Sequence, residues 1–221
     1  MKRVVVTGMG VVSPIGNDIQ TFWSNLKQGK CGIDEITSFP IGDFPVRLAG
    51  EVKDFNPEEH GIDRSLIRRA DRFTHFALVA AKQAMDDSKL EIHPERLGVY
   101  IGSGVGGIHT FLSESKKLLE NGMGWVSPLF IPMMISNIAA GNVAITHKAE
   151  GPCLPIVTAC ATGTHSIGEA YRAIKHGYAD AIIAGGTEAS VTPLAIGGFA
   201  NAKALSRSTD PLSASIPFDI R

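Results

Sequence analysis

Short β-branched runs closed by glycine alternate along this chain with helix-patterned stretches of small apolar residues. No other feature constrains the fold as much. Arg3 to Thr7 (RVVVT) is followed by Gly8 and Gly10, Leu97 to Ile101 (LGVYI) enters GSGVGG, and Ala179 to Ala184 (ADAIIA) is closed by Gly185 and Gly186. Pro155 to Thr158 adds a fourth short run. Runs of this kind read as strands buried on both faces. Between them the pattern predicts a helix capped by Asn17 or Asp18 and running to about Lys27, with Phe22, Trp23 and Leu26 inward. Further helices are predicted over Arg64 to Ser88, Ile108 to Leu119, Pro132 to His147, and Ala161 to His176, the last stopped by Gly177. In the Arg64 to Ser88 stretch, Phe73, Phe76, Ala77, Val79, Ala80, Ala81 and Ala84 leave hardly any polar face, so it should be buried. Residues 29–63 are rich in turn formers and read as loop, with an edge strand from Val46 to Val52. The order of elements predicts an α/β fold with a largely parallel sheet covered on two sides.

Composition narrows the function. A hydrophobic share of 44% supports a sizeable core, and a net charge of −1 offers no general attraction to nucleic acid or to an anionic membrane. Any electrostatic docking must come from a local patch. No stretch approaches the roughly 20 apolar residues of a membrane span, and MKRVVVTGMG is too brief in its apolar run for a secretory signal. The three cysteines, Cys31, Cys153 and Cys160, form no CxxC pair, which favours a reducing, cytoplasmic setting over a disulfide framework. The polar stretch from 201 to 221 offers no closing element, so the chain reads as part of a longer protein.

The segment PIVTACATGTHSIGEAYRAIKHG places Cys160 between a short strand and a helix. A nucleophile there is pushed out of the sheet by the sharp turn, as in a nucleophile elbow. The helix amino terminus favours a thiolate, and free N–H groups of the first turn can hold an oxyanion. Ala159, Ala161 and Gly163 leave room for a bulky thioester. Position alone leaves a second reading open, because a cysteine among alanines is commonly a buried small hydrophobe.

TACATGTHSIGEA resembles the active-site signature of the β-ketoacyl-acyl carrier protein synthases, the type II elongation enzymes in particular. VVVTGMGVVSPIGN, ADRFTHFALVAAKQAM, IGSGVGGI, VSPLFIPMMISNIAAG, AGGTEASVTPLAIGGFANAKALS and SIPFD follow in that family's order. The likeness runs from residue 3 to the end of the chain. It implies a thiolase-like α/β fold, layered α-β-α-β-α in the intact protein, with residues 1–221 forming the amino-terminal half. It also implies a homodimer with the strand before Cys160 near the twofold axis, and no cofactor or metal. The implied chemistry is acyl transfer from an acyl carrier protein to Cys160, then decarboxylative condensation with malonyl-acyl carrier protein. The Cys160 N–H should be one oxyanion donor. The family's two histidines, lysine and phenylalanine that complete the site belong to its carboxy-terminal half, so this chain should not condense unaided. His165, inside the cysteine's helix, has no catalytic role in the family. The remaining histidines, His60, His75, His93, His109, His147 and His176, read as solvated.

The same resemblance assigns Gly107 and Ile108 to the end of an acyl tunnel, Phe130 to its wall across the dimer interface, and Phe199 to a gate beside the nucleophile. By residue type alone, ordinary core packing is the better reading of each. Arg64, Arg68 and Arg72 recur every four residues with Arg69 adjacent, which on one helix would give a basic stripe for an acidic carrier protein or a merely solvated face. The loop NGMGW lacks the basic pair that the family often carries there. Two rivals follow from single motifs. Gly102 to Gly107 fits GxGxxG after a strand, but no second strand ending in an acidic residue follows, which weakens dinucleotide binding. A polyketide-type ketosynthase is the nearer alternative; the chain-length subunits among its relatives lack the cysteine.

Overall fold

The computed structural model describes residues 3–220. It divides into two compact units, residues 3–10 with 56–189, and residues 11–55 with 190–220.

The first unit is built on a parallel pair, β3 (Leu97–Gly102) and β4 (Ala181–Gly186), in register from Leu97 opposite Ala181 to Gly102 opposite Gly186. All residues of β3 are buried, which requires cover on both faces. Helix α7 (Thr162–Lys175) lies on one face and buries Thr162, Ser166, Ala170 and Ala173, small side chains at helical spacing. Ala170 and Ala173 close on Tyr100, with Ile156, Ile182 and Ala184 around them. Helices α3 (Arg72–Ser88) and α6 (Ile138–Thr146) pack on each other and reach the same pair of strands. Phe73, Leu78, Val79 and Val143 are fully buried there. Truncating one such side chain to alanine would cost about 2–5 kcal/mol.

Several expected elements are shorter than the pattern implied. Residues 3–7 form no ladder among the described residues, and Val5 and Val6 are 58% and 77% exposed. A β-branched run becomes a strand only when a neighbour accepts its hydrogen bonds. The glycines after it do make a close approach: a Cβ on Gly8 or Gly10 would overlap the carbonyl oxygen of Ala84 or Ala80 on α3. Residues 155–158 are not a strand either. The chain touches β3 through a single bridge from Cys153 to Val99, since Pro152 and Pro155 lack the N–H groups a ladder needs.

The helix expected over 64–88 breaks into α2 (Arg64–Ile67) and α3, because Asp71 is drawn into a buried cap position. Its Oδ2 accepts the Thr110 N–H and Oγ1–H, each at 2.7 Å. The helix expected over 132–147 likewise divides into α5 (Phe130–Met134) and α6. Helix α4 (Ile108–Asn121) falls as predicted.

The second unit contains α1 (Ile19–Lys27), a two-residue antiparallel ladder of β1 (Asp34–Glu35) with β2 (Leu48–Ala49), and α8 (Pro193–Asn201). Asp18 caps α1 as predicted, accepting the Thr21 N–H at 2.8 Å. Trp23 and Leu26, expected inward, are 56% and 47% exposed, and only Phe22 of that face is half-buried.

Candidate active site

Cys160 is exposed, on a single 3-10 turn (Ala159–Ala161) that leads directly into α7. Ala159 holds φ at +51°, left-handed backbone that costs an alanine about 1 kcal/mol. Its neighbours hold the turn in place. The Thr158 N–H donates to Thr162 Oγ1 at 2.9 Å, and the Ala161 N–H donates to the Thr158 carbonyl at 3.1 Å. The Thr158 hydroxyl also pairs with His165 Nδ1 at 2.6 Å, so this imidazole props the turn. The Cys160 N–H has no acceptor among the described residues. A thiol and its own amide donor thus sit together at the start of a helix, the arrangement an acyl-transfer nucleophile needs.

The chain enters this turn past Gly102, where a Cβ would overlap the Ile156 carbonyl oxygen and stand 2.5 Å from Thr162 Cγ2. Only glycine lets β3 pass so close to residues 155–158. Gly163 does not give the room expected of it. A Cβ on Gly186 would stand 2.9 Å from Gly163 Cα, so Gly163 seats α7 on the end of β4.

Gly107 and Ile108 open α4, and both are buried, Ile108 at 9% exposure. The Gly107 N–H donates to the Met134 carbonyl at 2.9 Å, and a Cβ there would overlap the Met133 carbonyl oxygen. Gly107 therefore rests on the last turn of α5, the helix that half-buried Phe130 opens. Phe199 lies on α8 of the second unit and is 54% exposed.

The arginine stripe does not form. The break between α2 and α3 removes the common face of Arg64, Arg68 and Arg72. Arg64 pairs with Glu58 at 3.2 Å, Arg69 turns back on the Ser65 carbonyl, and half-buried Arg72 lies 5.1 Å over the Phe76 ring. Arg64, Arg68 and Arg69 remain exposed. Of the histidines read as solvated only His93 and His176 are exposed; His60 and His109 are half-buried, as are His75, which meets the Ile67 carbonyl at 3.0 Å, and His147, whose Nε2 is buried without a partner. Burial holds the His75 and His147 imidazoles below their ordinary range.

The glycine loop is not a vacant phosphate cradle. Glu188 Oε2 accepts the Gly104 N–H at 3.0 Å and the Val105 N–H at 3.1 Å, while the Ile108 N–H donates to the Gly106 carbonyl. The donors a pyrophosphate would use are taken. Glu188 went unread in the sequence, although an acid just after a strand-closing glycine pair (GGTE) was a usable signal for an internal anion at such a loop.

Fold and turn together define a thiolase-like α/β protein of the ketosynthase kind. The chain belongs to the β-ketoacyl synthase family: residues 1–220 match its model, described as the beta-ketoacyl synthase N-terminal domain. It is 51% identical over 220 residues to a 3-oxoacyl-[acyl-carrier-protein] synthase 2 of Staphylococcus aureus (strain COL), covering 98% of this chain and 53% of that protein. The chain thus spans about half the length of the curated relatives it matches. Among solved structures it is similar to a beta-ketoacyl synthase from Burkholderia phymatum STM815, with a TM-score of 0.87 and 28% identity over 99% of this chain and 55% of that one. A ketosynthase solved in complex with its type II polyketide acyl-carrier protein superposes with a TM-score of 0.79 and 25% identity, over 92% of this chain and 55% of that one.

Proposed function

We propose that this chain carries the nucleophile half of a β-ketoacyl-acyl carrier protein synthase of fatty acid elongation. Cys160 Sγ, as thiolate, attacks the carbonyl of an acyl-carrier thioester. The negative charge moves to the carbonyl oxygen, beside the Cys160 N–H. Collapse expels the carrier thiolate, which takes up a proton and leaves the acyl group on sulfur. Malonyl-acyl carrier protein then loses carbon dioxide, and its carbanion attacks the acyl-enzyme carbonyl. A carbon–carbon bond forms, the bond to Cys160 breaks, and the product is two carbons longer. The residues on this chain serve the first half-reaction; the decarboxylation partners implied by the resemblance lie outside it.

The observation that carries this reading is the exposed thiol on its own turn with its N–H unengaged. The higher identity to a fatty acid elongation enzyme than to polyketide ketosynthases favours the former substrate class. Ile108, buried at the start of α4, supports a wall that limits acyl length, with Gly107 and Phe130 beside it. For Phe199 the gating role rests on the resemblance alone. Arg64, Arg68 and Arg69 offer exposed cations to an acidic carrier protein. A homodimer fits the exposed apolar residues along the segment before the turn and on α7, Leu154, Val157 and Ile167. No described helix is long and apolar enough to cross a membrane, in keeping with a cytoplasmic enzyme.

The test is acyl loading. Incubation with an acyl-acyl carrier protein should add one acyl group by intact mass, mapped to the Cys160 peptide. Cys160→Ala should lower loading by about a thousandfold or more. A folded protein that takes no acyl group, or takes it elsewhere, overturns the reading. The 221-residue chain should yield no β-keto product, and full condensation by it would contradict the division of labour proposed here.

A further inference from the structure

One carboxylate holds the loop between the nucleophile turn and the acyl wall. Glu188 follows β4 by two residues, and its Oε2 accepts the Gly104 and Val105 N–H groups at 3.0 and 3.1 Å. Both its oxygens lie 3.4 Å from Ser103 Oγ, which is 1% exposed and accepts the Gly106 N–H at 2.8 Å. The near end of this loop borders the nucleophile turn: a Cβ on Gly104 would stand 3.6 Å from Ala159 Cα and 3.1 Å from Glu188 Oε2. The far end runs through Gly107 into Ile108, anchored by the Met134 carbonyl. A glycine-rich stretch of this kind has little rigidity of its own. A carboxylate is suited to fix it, since one oxygen can accept several N–H bonds at once.

We infer that Glu188 is a positioning residue for acyl transfer: by clamping residues 103–106 it sets the passage between Cys160 and Ile108 through which the acyl chain leaves the nucleophile. This rests on the reading of Cys160 as acyl acceptor and Ile108 as pocket wall. Glu188 does not touch the thiol, so its removal disturbs where the acyl chain goes, not how reactive the sulfur is. A small alkylating agent needs no acyl passage, whereas an octanoyl thioester does.

The experiment compares wild type, Glu188→Ala and Glu188→Gln in the full protein. Octanoyl loading of Cys160 and alkylation of Cys160 by iodoacetamide are both followed by peptide mass spectrometry, with Cys31 and Cys153 alkylation as the control for folding. Glu188→Ala should slow octanoyl loading at saturating donor by about tenfold, with iodoacetamide alkylation of Cys160 within about twofold of wild type. Glu188→Gln keeps an acceptor oxygen and should recover most of the loss. Hydrogen exchange at the Gly104 and Val105 amides should quicken in Glu188→Ala and not in Glu188→Gln. Unchanged loading in Glu188→Ala overturns the inference. So does a loss of loading matched by an equal change at all three cysteines, which would mark general unfolding. If wild-type Cys160 alkylates but never loads, the synthase reading fails first, and unchanged amide exchange at Gly104 and Val105 would reject the clamp on its own.

Discussion

The loop after β3 and the turn of Cys160 are written in much the same alphabet, and they do opposite things. GSGVGG and TACATG both join an extended segment to a helix through small residues. In the first, backbone donors are spent inward, on Glu188, on Ser103 and on the Met134 carbonyl. In the second, the Cys160 N–H has no acceptor among the described residues and the cysteine is exposed. Small residues at a strand-to-helix junction therefore do not mark a ligand site by themselves. What separates a packing joint from a chemical one is whether the protein has already supplied the acceptors.

The largest break in this comparison should come from Gly102, where both regions meet. Gly102→Ala places a methyl group on the Ile156 carbonyl and against Thr162. It should destabilise the fold by about 3 kcal/mol or more, read as a fall in the urea midpoint or as loss of soluble protein. A stability within experimental error of wild type would show that the strand and the turn can separate freely.

A sharper and smaller probe is Thr158→Val, which keeps the shape and removes the hydroxyl that meets His165 at 2.6 Å. Losing one such bond should cost about 1 kcal/mol and slow Cys160 loading several-fold without affecting the amide exchange of Gly104. If Gly104 exchange changes as well, the open turn and the closed loop are one unit and not two.

The weakest effect is expected from pH, and it acts on the scaffold beneath the closed loop. His75 on α3 and His147, the residue that ends α6, are held uncharged by burial. Their folded pKa values lie below the unfolded one, so the unfolded chain binds more protons in acid. Stability should be flat above about pH 6.5 and decline as the pH falls below it. Melting temperatures between neutral and mildly acidic pH would show this slope, and His75→Gln with His147→Gln should flatten it. A slope unchanged in the double variant would place the titrating groups elsewhere.

Much of this was legible without coordinates. Local chemistry narrowed the first cap to Asn17 or Asp18, and marked β3 and β4 as apolar runs closed by glycine and α4 and α7 as helices after small-residue turns. The same pattern put Cys160 at a strand-to-helix junction, and the extended family likeness made it the nucleophile candidate. Where the reading failed, the deciding partner lay far away in sequence. Arg3 to Thr7 has strand composition and no ladder. Asp71 looked like one more helical residue until Thr110 claimed its carboxylate, and that buried pair broke the basic stripe of Arg64, Arg68 and Arg72.

The sequence by itself determined which segments could be helix or strand and which cysteine stands at the start of a helix, because backbone propensity, glycine freedom and helix polarity act over a few residues. Only the tertiary structure decided which amides are spent and which are left open. A hydrogen bond such as that from Gly104 to Glu188, 3.0 Å long, joins residues far apart in the chain, and its existence depends on the parallel pairing of β3 with β4, which sets Gly102 opposite Gly186.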